Sequence, residues 1–138
     1  MRRKGILALV IACAGLLTNG AGVAFAAHKY GTKIVFLGNS GPSPNSSDQT
    51  FFGDLKTNSK CAGARTVGLF KKTSGGDFKL LDVDLSSFNG AYALRAELNG
   101  TPTLAIQVER EKRNKGKVVC RPATLVLEPA QAGSFKVG

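Results

Sequence analysis

Few residues in this chain have the type and spacing to do chemistry. The 138 residues contain one histidine, His28, which precedes every strongly patterned segment. A Ser-His-Asp or Cys-His arrangement needs an imidazole held by packing beside its nucleophile, and His28 has no such support. Copper capture by an N-terminal amine and His28 lacks a second histidine to complete the site. Asp82 and Asp84 fall on one face of a strand with Asp77 close by, a pattern that suits a calcium ion or acid-base work. The same pattern describes the solvent face of a half-exposed strand, and that is the reading adopted. No acidic loop has EF-hand spacing. Lys71 stands where a phosphate loop requires glycine before Lys72-Thr73. The sequence therefore predicts a protein that is not an enzyme, with no catalytic residue, cofactor or metal ligand assigned.

Charge and cysteine remain. There are 19 Lys+Arg against 9 Asp+Glu, and the densest run is Arg110-Glu111-Lys112-Arg113-Asn114-Lys115-Gly116-Lys117. Arg110, Lys112, Arg113, Lys115 and Lys117 form a candidate docking site for anionic partners such as cell-wall polymers or a membrane surface. The reading favoured over it for this run is a solvated turn whose charges keep a sheet edge from pairing with other sheets. The run has no interleaved aromatic residues, so specific nucleic-acid recognition by base stacking is not expected.

The first 26 residues read as a secretory signal peptide: Arg2-Arg3-Lys4, the apolar run Ile6 to Leu17, then small residues at Ala24 and Ala26 that fit a cleavage site. The apolar run is shorter than the roughly 20 residues a membrane span needs. A lipid-attachment reading of Val10-Ile11-Ala12-Cys13 is disfavoured by Leu16 and Leu17, which stand where a polar tether belongs. Cleavage before Ala27 removes Cys13 and three basic residues, taking the 19 basic residues to 16 against 9 acidic. Cys61 and Cys120 are then the two cysteines of an exported chain, and two thiols in an oxidising compartment pair. The expected location is extracellular.

The elements that must position these residues are β-strands. Residues 27–49 are read as an N-terminal segment, with a short β-prone run Ile34 to Leu37, followed by a flexible Gly/Ser/Pro linker. From Thr50, short segments alternate apolar and polar residues between Gly, Asn, Ser and Pro. Phe51, Gly53 and Leu55 share one face; Val67 and Leu69 point inward; Tyr92, Leu94, Ala96 and Leu98 alternate with polar neighbours; so do Leu104, Ile106 and Val108. In Phe78 to Leu85 the apolar parity shifts, which predicts a bulge near Leu80. Asn99-Gly100 and Asn114-Lys115-Gly116 mark turns, Pro122 a bend, and Thr124 to Leu127 a last strand. Six or seven strands between residues 50 and 128 predict an all-β, small antiparallel β-sandwich with one disulfide, and residues 129–138 read as a tail. Asn45-Ser46-Ser47 and Asn99-Gly100-Thr101 satisfy the N-glycosylation pattern, which matters only in a eukaryotic host.

Phe52-Gly53 with Leu55, then Cys61, Arg65-Thr66-Val67, Asn89-Gly90-Ala91-Tyr92 and finally Cys120 resemble the secreted bacterial transthyretin-like (prealbumin-like, carboxypeptidase-regulatory-like) sandwich domains over about residues 51–127. The resemblance implies a non-catalytic extracellular module whose cysteines tie the loop after the first strand to the closing strand. Ser86-Ser87-Phe88-Asn89 lacks the aspartate usual before the Gly-aromatic pair, and Thr103-Leu104 lacks an aromatic residue usual there. The resulting expectation is a secreted, non-catalytic β-sandwich module for binding or surface association, with a cationic antimicrobial or inhibitory effector as the alternative. A protein partner is a further expectation.

Overall fold

The computed structural model describes residues 26–42 and 46–128. Residues 1–25, which hold Cys13 and nearly all of the expected signal peptide, residues 43–45 with Asn45 of the first sequon, and residues 129–138, read as a tail, lie outside them. The chain is all-β, with ten strands: β1 (His28–Tyr30), β2 (Thr32–Ser40), β3 (Asp48–Thr57), β4 (Thr66–Lys72), β5 (Phe78–Leu85), β6 (Ala91–Glu97), β7 (Leu104–Val108), β8 (Glu111–Arg113), β9 (Val118–Cys120) and β10 (Ala123–Leu127). A single 3-10 turn, Ser59–Cys61, follows β3 and is capped by the Asn58 side chain, which accepts from the Lys60 amide.

Two antiparallel sheets form the sandwich, one in the order β2-β3-β6 and the other β10-β7-β4-β5. Their inner faces follow the period-two pattern of the sequence. Ile34, Phe51, Leu55, Tyr92 and Leu94 from the first sheet meet Val67, Leu69, Leu104, Ile106, Val108 and Leu127 from the second in one buried cluster. The predicted bulge is present: Asp82 pairs with Leu69 and Leu80 with Phe70, leaving Leu81 as the extra residue. The run Ile34 to Leu37 does join the sheet, within a nine-residue strand that pairs with β3 and carries its own irregularity between Phe36 and Gly38.

A third, smaller sheet has the order β1-β9-β8, with β1 parallel to β9. Two points of the sequence reading change here. The segment 27–49 supplies two strands before its loop. The stretch 50–128 holds part or all of eight strands rather than six or seven, because the chain leaves the sandwich after Val108 and resumes pairing at Glu111 in the separate sheet.

Gly53 on the central strand β3 faces Tyr92 of β6 and Phe36 of β2. A side chain there would collide with the Val35 carbonyl and the Tyr92 phenol. Its absence lets the Tyr92 hydroxyl cross the strand and donate to the Val35 carbonyl oxygen at 2.9 Å. Burial, reinforced by Asp54, pushes the Tyr92 phenol well above the ordinary tyrosine range. A folded-state value above the unfolded one gives a contribution that is complete below about pH 10 and lost as the pH rises beyond it. Tyr92→Phe is therefore expected to lose about 1 kcal/mol at neutral pH and to narrow that deficit towards pH 11, where lysine titration is common to both proteins. Urea midpoints at pH 7 and pH 11 measure this; a constant difference would overturn it.

Candidate functional site: a cationic sheet face

The small sheet has two unlike faces. In register across the strands lie His28, Val118 and Arg113, then Tyr30, Cys120 and Glu111. This face turns inward: Cys61, Val118 and Cys120 form a small buried cluster with Tyr30 packed on it. Cys61 and Cys120 are joined, closing a separation of 59 residues, and both are fully buried. A buried disulfide fits an oxidising setting. Among the described residues no helix is long and apolar enough to cross a membrane.

The opposite face carries Lys29 and Lys112, both exposed, on either side of a buried Val119 in one lateral row. The ladder runs one residue past β9 at each end, since the His28 amide donates to the Lys117 carbonyl and the Arg121 amide to the Tyr30 carbonyl, both at 2.9 Å. Alternation along a strand then puts Lys117 and Arg121 on the same face as Val119, and Arg110 immediately precedes β8 at the end of the sheet that Arg121 follows. Lys29, Arg110, Lys112, Lys117 and Arg121 are all exposed, and among the described residues their side chains form no hydrogen bond or ion pair. Strand spacing sets the Lys29 and Lys112 backbones about 10 Å apart, and Lys117 and Arg121 about 13 Å apart along β9.

Of the five basic residues expected at the hairpin tip, four face solvent and one does not. Arg113 is turned inward: its Nε donates to Glu111 Oε1 at 2.8 Å, its Nη2 forms an ion pair with the same oxygen at 2.6 Å and donates to the Gly63 carbonyl, and its Nη1 donates to the Lys60 carbonyl at 3.0 Å. Its charge is neutralised by Glu111, so it fastens β8 to the 3-10 turn. Lys115 sits in the turn itself, where Asn114, Lys115 and Gly116 all have positive φ. The sequence reading missed Lys29, which only the parallel pairing of β1 with β9 brings to this face, and Arg121, which follows β9 with the parity of Lys117 and Val119.

Beneath the sheet lies Arg65, a fully buried side chain. Its Nη1 donates to the Cys61 carbonyl at 3.1 Å and to Thr32 Oγ1 at 3.2 Å; its Nη2 donates to the carbonyls of Glu109 at 2.8 Å and Arg121 at 2.9 Å. Glu111 Oε1 stands 3.8 Å from its Nε, which has no hydrogen-bond partner. Burial lowers the guanidinium pKa, Glu111 opposes that shift and Arg113 adds to it. Its backbone is fixed by Ser86, whose hydroxyl accepts from the Arg65 amide at 2.9 Å and donates to the Ala62 carbonyl at 2.6 Å.

The paired carboxylates have another occupation. Asp84 Oδ2 accepts from the Ala93 amide at 2.9 Å and Asp82 Oδ2 from the Arg95 amide at 2.8 Å. Both are half-buried, and both satisfy outward N–H groups of β6, the edge of one sheet, from β5, the edge of the other. They join the two sheets along that side of the sandwich, a role more specific than an ordinary solvent face. Among the described residues no three His, Cys, Asp or Glu side chains gather to hold a metal ion. Asp82→Ala with Asp84→Ala is expected to lower stability by about 2 kcal/mol and to speed amide exchange at Ala93 and Arg95. Unchanged exchange at those two amides would show that the carboxylates do not cap the edge.

Fold and site together define a disulfide-closed, all-β sandwich-like protein with a small sheet presenting a one-signed face. Comparison with protein families, with curated proteins and with solved structures finds no match.

Proposed function

We propose that this is an exported, non-catalytic β-sandwich module that attaches to anionic surfaces through the outer face of its small sheet. The observation that carries the reading is the exposed cations Lys29, Lys112, Lys117 and Arg121 on one side of a small sheet, with exposed Arg110 leading into it, and a disulfide, Arg65 and Arg113 fastening its other side. Surface cations are each worth little alone, but several held on one rigid face act together on a multiply charged partner. The export signal and the buried disulfide support an extracellular setting. The resemblance to secreted transthyretin-like domains supports a binding module rather than a catalyst.

The test is retention of the purified disulfide-bonded protein on its producer's cell wall, on anionic lipid vesicles and on DNA at rising salt. Retention on at least one that falls steeply with salt is expected, and the combined Lys29, Lys112, Lys117 and Arg121 to Gln variant is expected to lose it while keeping its unfolding midpoint. Retention by that variant equal to that of the parent would sink the proposal.

A further inference from the structure

We propose, resting on that reading, that the cationic face takes a linear phosphate polymer, with Arg110 and Arg121 as its anchoring subsite and Lys29, Lys112 and Lys117 engaging successive phosphates. The geometry beneath the face points to the arginine pair. One nitrogen, Arg65 Nη2, donates to the carbonyls of both Glu109 and Arg121, so the β7–β8 and β9–β10 links are held side by side. Arg110 and Arg121 emerge from these two links at one end of the sheet, next beyond the paired residues Glu111 and Cys120. A buried guanidinium thus fixes the backbones from which two exposed guanidiniums project.

The chemistry of the pair selects its ligand. A carboxylate presents its two oxygens in one plane to one guanidinium fork, whereas the non-bridging oxygens of successive tetrahedral phosphates project on different sides of their chain and are open to a second fork. Lysines contribute as point charges without such geometry, and the three that share this face lie towards and beyond the middle of the sheet. A single phosphate at the arginines leaves Lys29, Lys112 and Lys117 unengaged. A chain of phosphates laid along β9 reaches them, and each added contact is made at a high effective concentration.

The face suits a polymer better than a bilayer. Membrane docking combines cations with apolar or aromatic side chains that enter the interface. Here the central apolar residue, Val119, is 5% exposed, so nothing apolar stands above the cations. A row of exposed apolar side chains, Phe78, Leu80, Val83 and Leu85, lies instead on β5 in the four-stranded sheet.

The experiment titrates the protein with inorganic phosphate, triphosphate, polyphosphates of increasing length, polyglutamate, and phosphatidylglycerol vesicles at fixed ionic strength. Affinity is expected to rise by at least about tenfold from triphosphate to long polyphosphate, with polyglutamate well below polyphosphate of equal charge. Arg110→Gln with Arg121→Gln is expected to weaken long-polyphosphate binding about tenfold with an unchanged unfolding midpoint, and Lys115→Gln in the turn to change it by less than about threefold. Equal binding of polyglutamate, affinity independent of length, or equal effects of the arginine and Lys115 variants would overturn the inference. Binding to vesicles without binding to polyphosphate would overturn it too, while leaving the surface-attachment reading standing. Binding to none of these probes, with no retention on cell wall or DNA, would remove both.

Discussion

Replacement of Arg65 by methionine is expected to destabilise the fold by about 3–5 kcal/mol, the range for removing one partner from a buried charged network, and to lower Tm by about 12–20 °C. Methionine fills much of the same volume, so the loss isolates the guanidinium. Three carbonyls, those of Cys61, Glu109 and Arg121, lose a donor together with the Thr32 hydroxyl, and groups left unsatisfied in a protein interior are costly. These partners belong to the start of β2, the 3-10 turn, the β7–β8 link and the β9–β10 link, the places where the small sheet joins the sandwich. Arg65→Lys keeps the charge but not the fork, and is expected to recover less than half of the loss. Denaturant unfolding of the three proteins measures this; a methionine variant within about 1 kcal/mol of the parent would mean that the carbonyls find water at no cost.

Cys61→Ala with Cys120→Ala is expected to lower stability by about 4 kcal/mol, from the greater chain entropy released when a 59-residue closure is lost. The loss should fall unevenly. The sandwich core draws eleven buried residues from six strands, whereas the cluster under the small sheet consists of Cys61, Val118 and Cys120 with Tyr30. Without the bond, two of those residues become alanines and the small sheet has little to pack on. Amide exchange at Val118 to Cys120 is expected to accelerate far more than at Leu104 to Val108, and the proposed binding to anionic surfaces should fall although the sandwich remains. Equal acceleration in both strands would show a single cooperative unit.

The sandwich was legible because its strands are amphipathic. Val67, Leu69, Leu104 and Ile106 are fully buried where alternation put them, and the parity shift in β5 gave the bulge. The cysteine pair followed from compartment. The small sheet was harder to read, since His28-Lys29-Tyr30 has no apolar alternation and its parallel pairing with Val118-Val119-Cys120 spans about ninety residues of chain. Arg65 enters the sequence reading only within the motif Arg65-Thr66-Val67 and with no role of its own, because nothing local distinguishes an arginine bound by carbonyls up to 56 residues away from one in water. Asp82 and Asp84 had the right parity to share a face. What they bind are main-chain amides of another strand, groups that every sequence contains.

The chain has two tyrosines and no tryptophan, and the fold assigns one tyrosine to each part. Tyr30 packs on the cysteine cluster of the small sheet, and Tyr92 is buried among the sandwich strands. Intrinsic fluorescence and near-ultraviolet dichroism therefore contain a separate optical reporter for the small sheet and for the sandwich beside it. Tyr30→Phe and Tyr92→Phe divide the two signals, so detachment of the small sheet can be followed in solution without any attached label.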